Sequence, residues 1–220
     1  MALLLIVLAV GFAAQLIDGS LGMGYGVLST SLLLAAGIAP AMASATVHVA
    51  KIGTAVASGV AHWRFGNVDG RIMLLLGIPG AIGAYLGAVF LTWLATLPFG
   101  DEVDGSIARP YVSGILLVLG LVIIGRFLHG RRKRRLAAEA AEASDAADDK
   151  SPEPPTQQRP AWLLAPLGLI GGFVDASGGG GWGPVTTSTL MASGRLAPRT
   201  TIGTVNAAEL LVALSASAGF

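Results

Sequence analysis

The chain has 220 residues, of which 53% are hydrophobic, 31 are glycine and only 12% are charged, and its mean hydropathy is +0.70. Such a composition is not that of a soluble domain, because its long uncharged stretches are solvated well only by a bilayer. The absence of Cys excludes disulfides, thiolate metal sites and thiol nucleophiles. The net charge of +1 matters less than its distribution: of 14 basic and 13 acidic side chains, 14 lie between Arg126 and Arg159.

Residues 2–17 are apolar and have no Lys or Arg before them, so a cleavable signal peptide is not expected. As a helix this segment is about 24 Å long. The glycine-rich stretch DGSLGMGYG, Asp18 to Gly26, interrupts the apolar run. The arm that follows, Val27–Ala36, is roughly 15 Å long and too short for a ~30 Å hydrocarbon core. Two short arms around a glycine turn predict a re-entrant hairpin with its tip near mid-membrane. Irregular backbone at that depth persists only where protein or a water-filled cavity satisfies its polar groups.

Three full-length spans are predicted next, at Pro40–Trp63, Arg71–Leu97 and Pro110–Leu128. In the second, the GxxxG spacing of Gly83 and Gly87 allows close helix contact, and Pro79 is expected to bend the helix. HGRRKRR at His129–Arg135 belongs on the cytoplasmic side and DEVD at Asp101–Asp104 outside, which places the N-terminus outside as well. Residues 136–160 turn to Ala, Glu, Asp, Pro and Gln, the composition of a solvated linker. Its first part, Ala137–Ala147, is compatible with helix until Pro152 ends it.

The glycine stretch recurs as DASGGGGWG, Asp175 to Gly183, at an offset of 157 residues. Asp18–Gly37 and Asp175–Gly194 share 10 of 20 positions. One inserted residue carries the pairing on through Pro40 with Pro198, Thr46 with Thr204, His48 with Asn206 and Lys51 with Glu209. The chain therefore reads as a first transmembrane repeat (1–128), a cytoplasmic linker (129–160) and a second repeat (161–220). Arg195 and Arg199 put the second hairpin's turn on the cytoplasmic face, opposite to the first. The predicted fold is an all-α integral membrane protein of two inverted repeats, each a re-entrant or broken helix hairpin followed by transmembrane helices. This plan is common in secondary transporters, with the site at the repeat interface. Counterparts of the first copy's later spans are missing from the second, and about 70 to 90 further C-terminal residues are expected on the repeat argument.

Away from loops and linker, the remaining charged residues are Asp18, Lys51, Asp175 and Glu209, all at matched positions. An ionisable group at the bilayer centre costs roughly 2.5–3.5 kcal/mol on insertion scales, so these four mark a site. His48 and Lys51 share one helix face, as do Asn206 and Glu209. A Lys51–Glu209 ion pair is available. It either locks the repeats together or leaves Lys51 to bind an anion while Glu209 or His48 exchanges a proton. An unperturbed His titrates near pH ~6.5, which suits proton coupling.

Gly22, Gly24 and Gly26, with Gly179, Gly181 and Gly183, offer backbone N–H groups leading into short helices near Gly26 and Gly183. Such helix N-termini are anion sites, and two of them meeting at mid-membrane would form a cationic pocket. Tight helix packing is the alternative use of the glycines. Asp18 and Asp175 would oppose an anion and are expected instead to cap loop amides. Ser20, Ser177, Thr46 and Thr204 either donate to an oxyanion or bond to their own helix backbone. Tyr25 and Trp182 either wall the pocket or pack.

On DGSLGMGYG, on ATVHVAKIGTAVASGVAHWRFGNVD at Ala45–Asp69, and on the second-copy DASGGGGWGP and TIGTVNAAEL, the chain resembles the TauE/SafE sulfite-exporter family. That resemblance implies ion-gradient-driven movement of sulfite, a sulfonate or a related organic anion across the plasma membrane. It implies no cofactor, metal or nucleic acid; the partners expected are the anion and the lipid bilayer, with a homodimer as the assembly to test. The alternatives are a channel-like or structural membrane protein without coupled transport, and an intramembrane hydrolase using Ser20 or Ser177 with His48. The hydrolase lacks a GxSxG elbow, and an enzyme is not expected.

Overall fold

The computed structural model describes residues 11–12, 14–16, 18, 23–98, 106–144 and 161–220, with only backbone described at 127, 129–144 and 161. Ser20, Gly22 and the Asp101–Asp104 and Pro152–Pro155 segments lie outside the described residues. Helical backbone at residues 11–12, 14–16 and 18 precedes α1 (Tyr25–Ala35), α2 (Pro40–Arg64), α3 (Gly70–Leu94) and α4 (Ala108–Ser144). A 3-10 turn (Ala161–Leu163) leads into α5 (Leu164–Gly178). The second glycine loop then passes through a π-helical turn (Gly183–Thr187) into α6 (Ser188–Ser193) and α7 (Pro198–Gly219). The described residues contain no strand.

Helix starts are written locally. α2 and α7 both open on a proline, Pro40 and Pro198, after an extended alanine; proline's fixed φ and missing N–H suit the first helical position. α3 opens on Asp69, whose Oδ1 accepts the Ile72 amide at 2.9 Å. Gly70–Leu94, Ala108–Arg126 and Pro198–Gly219 are long and apolar enough to cross a membrane, and the chain is a multi-pass, all-α membrane protein. α2 is as long as α3, 25 residues, but carries His48 and Lys51 on a face buried by protein. α4 continues past the apolar limit at Arg126 to Ser144, because the Arg, Lys, Ala and Glu that follow are strong helix formers.

The centre is a backbone-to-backbone crossing of α3 and α5. A Cβ on Gly83 would lie 2.0 Å from the Leu169 carbonyl oxygen, and one on Gly172 2.0 Å from that of Gly80. The Gly83–Gly87 pair thus meets a second GxxxG, Gly168–Gly172, that the sequence reading left unremarked. α7 packs along the other side of α3, with Ala208 against Gly77. Leu76, Trp182, Val205 and Val212 fill the space between them, and a second cluster around Leu91, Val112 and Leu116 joins α3 to α4. Trp182 packs against Gly80 and Gly171 and donates its indole N–H to the Val205 carbonyl at 3.1 Å. It is a core residue and not a pocket wall.

Candidate functional site

Asp175 lies one turn before the end of α5, where Gly179 (φ 76°) and Gly180 (φ 157°) take left-handed backbone that other residues rarely adopt. That reversal swings the chain back over the carboxylate. Asp175 Oδ1 accepts the Gly181 amide at 2.7 Å and the Trp182 amide at 3.0 Å. In the first copy Asp18 Oδ1 accepts the Tyr25 amide at 3.2 Å, a seven-residue reach matching Asp175 to Trp182. Each aspartate accepts an amide near the end of its own glycine stretch.

The first turn of α1 touches the second glycine loop. A Cβ on Gly26 would lie 2.7 Å from Gly180 Cα, and one on Gly180 would lie 2.4 Å from the Gly26 carbonyl carbon. Thr30 of α1 donates its hydroxyl to the Gly179 carbonyl, and Ser44 of α2 donates to the Ala176 carbonyl at 2.7 Å. The same Cβ on Gly26 would come 3.3 Å from Lys51 Nζ, so the ammonium sits against the loop contact.

Lys51 is 5% exposed, while His48 and Asp175 are fully buried. Lys51 Nζ is 3.0 and 3.3 Å from the two Asp175 oxygens and 2.8 Å from Glu209 Oε1. His48 places Nε2 3.0 Å from Asp175 Oδ2 and Nδ1 2.8 Å from the Ser44 carbonyl oxygen. Asp18 is within electrostatic reach of Lys51. Three carboxylates therefore surround one ammonium and one imidazole. The cationic pocket expected from the sequence is corrected here: Lys51 is already neutralised by Asp175 and Glu209, as burial of a lone ammonium requires.

Other expected site residues face elsewhere. Ser177 donates to the Phe173 carbonyl of its own helix at 2.6 Å and accepts the Tyr111 hydroxyl at 3.1 Å. Asn206 does not reach His48; its Nδ2 donates to Ser58 Oγ at 3.0 Å. Thr46 bonds back to the Met42 carbonyl and Thr204 accepts the Asp69 amide. Gly24, with φ 126°, is the residue before α1, Gly181 gives its amide to Asp175, and Gly183 opens the π-helical turn. Thr30, Ser44 and Ser58 were missed. A signal existed for two of them: Thr30 is identical to Thr187 in the repeat, and Ser44 precedes His48 by one helical turn.

The family model for sulfite exporter TauE/SafE matches residues 7–220. The probable membrane transporter protein YtnM of Bacillus subtilis (strain 168) is 47% identical over 211 residues, which are 96% of this chain and 62% of that protein. The chain thus spans less than two thirds of that relative's length. No solved structure gives a significant match. Paired glycine loops, the buried charges between them and the match over residues 7–220 agree: the chain belongs to the sulfite exporter TauE/SafE family of membrane transporters.

Proposed function

We propose that the protein is a secondary transporter that moves a small anion (sulfite, a sulfonate or a related organic anion) across the plasma membrane by alternating access, coupled to an ion gradient. The observation that carries this reading is the position of Lys51. Its ammonium lies at the backbone contact between the first turn of α1 and the second glycine loop, held by carboxylates that both come from the second copy. An anion entering there takes the place of a carboxylate, so the charge balance of the buried site is kept as the substrate binds. Glu209 is the more readily displaced of the two. Its side chain is 12% exposed, whereas that of Asp175 is fully buried and also holds two loop amides.

In this reading the two copies are inverted repeats, the glycine hairpins are re-entrant, the 129–160 linker is cytoplasmic and the N-terminus is external. The test is flux of sulfite and sulfoacetate into proteoliposomes carrying the natural full-length protein. Lys51→Ala lowers flux at least ~10-fold, the factor that about 1.4 kcal/mol of lost binding supplies. Flux unchanged by Lys51→Ala refutes the role of the ammonium, and absence of flux for any small anion leaves the structural alternative.

A further inference from the structure

We infer that the contact between His48 Nε2 and Asp175 Oδ2 is a proton-binding site, and that this conformation is its protonated form. Its role as the coupling site rests on the transport reading above; the site itself does not.

Donors and acceptors around the ring do not balance without that proton. His48 Nδ1 lies 2.8 Å from the Ser44 carbonyl oxygen, which only accepts. Nε2 lies 3.0 Å from a carboxylate oxygen of Asp175. A neutral imidazole has one N–H and one lone pair. Whichever nitrogen carries the hydrogen, the other then points a lone pair at an oxygen lone pair, inside a fully buried site. The nearby Ser44 hydroxyl, 3.4 Å from Nδ1, has an acceptor of its own in the Ala176 carbonyl at 2.7 Å. Both contacts are attractive only with one further proton, carried on the ring or on Oδ2.

Charged groups face this contact from several elements. Asp175 faces the ring from α5, and Lys51 lies one turn on along α2. Beyond Lys51 stand Glu209 of α7 and Asp18 of the first loop. The Phe220 ring lies beside the imidazole at a centroid distance of 6.1 Å. Three carboxyl groups and one ammonium thus stand around the shared proton. Its departure to bulk water turns one ring contact repulsive and removes a donor from Asp175. The same carboxylate fastens the Gly181 and Trp182 amides and Lys51. Proton release is thereby linked to the second glycine loop and to the ammonium at the loop contact.

The test reads the proton without transport. The sequence contains three His, so His62→Gln with His129→Gln leaves His48 as the single imidazole. The full chain, labelled with 15N-His and 13C-Asp in lipid nanodiscs, is titrated by NMR. At neutral pH we expect either both ring nitrogens protonated beside an ionised Asp175, or a neutral ring beside a protonated Asp175. At alkaline pH that proton is lost, and the Gly181 and Trp182 amide signals shift in the same step. A neutral ring beside an ionised Asp175 at neutral pH overturns the proposal. So does a doubly protonated ring that survives Asp175→Asn. If the double variant fails to fold, the signals are read in the natural chain as those absent from His48→Gln. Anion flux indifferent to Lys51→Ala would sink the transport reading and leave this site standing; an empty contact would do the reverse.

Discussion

Replacing Asp175 with Asn separates the structural from the electrostatic work of the central carboxylate. The Asn carbonyl oxygen can still accept the Gly181 and Trp182 amides, now at 2.7 and 3.0 Å from Oδ1. Its Nδ2, however, stands where Oδ2 was, a donor 3.0 Å from His48 Nε2 and 3.3 Å from Lys51 Nζ. Lys51 keeps a neutral acceptor at Oδ1 and Glu209 as its one bonded carboxylate. Removing one partner of a buried ion pair costs roughly 3–5 kcal/mol, most of it the charge left uncompensated. In a domain of this size each kcal/mol moves the midpoint by about 2–4 °C, so a fall of roughly 6–20 °C is expected. The assay is thermal unfolding of purified protein followed by tryptophan fluorescence, to which the buried Trp182 contributes. Lys51→Met should also destabilise, and the double variant should cost less than the sum, with a coupling of about 0.5–3 kcal/mol. A midpoint within about 2 °C of the parent, or strictly additive costs, would refute the claim that these charges are mutually compensating.

Gly172→Ala puts a Cβ 2.0 Å from the Gly80 carbonyl oxygen and should cost about 1–3 kcal/mol by forcing α3 and α5 apart. Gly114→Ala, with nothing within 4 Å of its Cβ, is the control, and equal midpoints in thermal unfolding would deny the close crossing. The chain has no Cys, so single cysteines report topology cleanly: Asp101→Cys should react with an impermeant maleimide from outside cells and Arg132→Cys only after permeabilisation. The opposite pattern would invert the assigned orientation.

What was legible in the sequence was whatever needed only one helix or one repeat. Pro40 and Pro198 announced two helix starts, and the matched aspartates announced their loops, because a carboxylate before a glycine turn has few other uses in an apolar run. Gly83 and Gly87 announced a close contact without saying with what; the answer, Gly168 and Gly172, required knowing which helix crosses α3. The partner of Lys51 was half legible. Repeat matching paired it with Glu209, but Asp175, which also holds it, is matched to Asp18 and not to either of them. Asn206 shows the limit of the same logic. It stands at the position matched to His48, yet a neutral amide has no charge to answer a carboxylate, and it crosses to Ser58 instead. The cationic pocket failed for a related reason: counting helix ends and one ammonium left out the carboxylates that burial of that ammonium demands.

The duplication is symmetric in position and asymmetric in charge. The second copy's loop is fastened by Asp175 with His48 and Lys51, both from α2 of the first copy. Applying the repeat to that arrangement gives Asp18 with Asn206 and Glu209, a set with two carboxylates and no cation. The equivalent cluster therefore cannot close in the same way, and Lys51 must serve both sides, bonded to Asp175 and Glu209 and close to Asp18. Among the described residues the first loop's aspartate makes one backbone contact, at 3.2 Å to Tyr25. Asp175 binds two loop amides, the ammonium and the imidazole. The charges that fasten the second loop are thus drawn from the first copy, and loss of Lys51 is felt at Asp175 and Glu209 together.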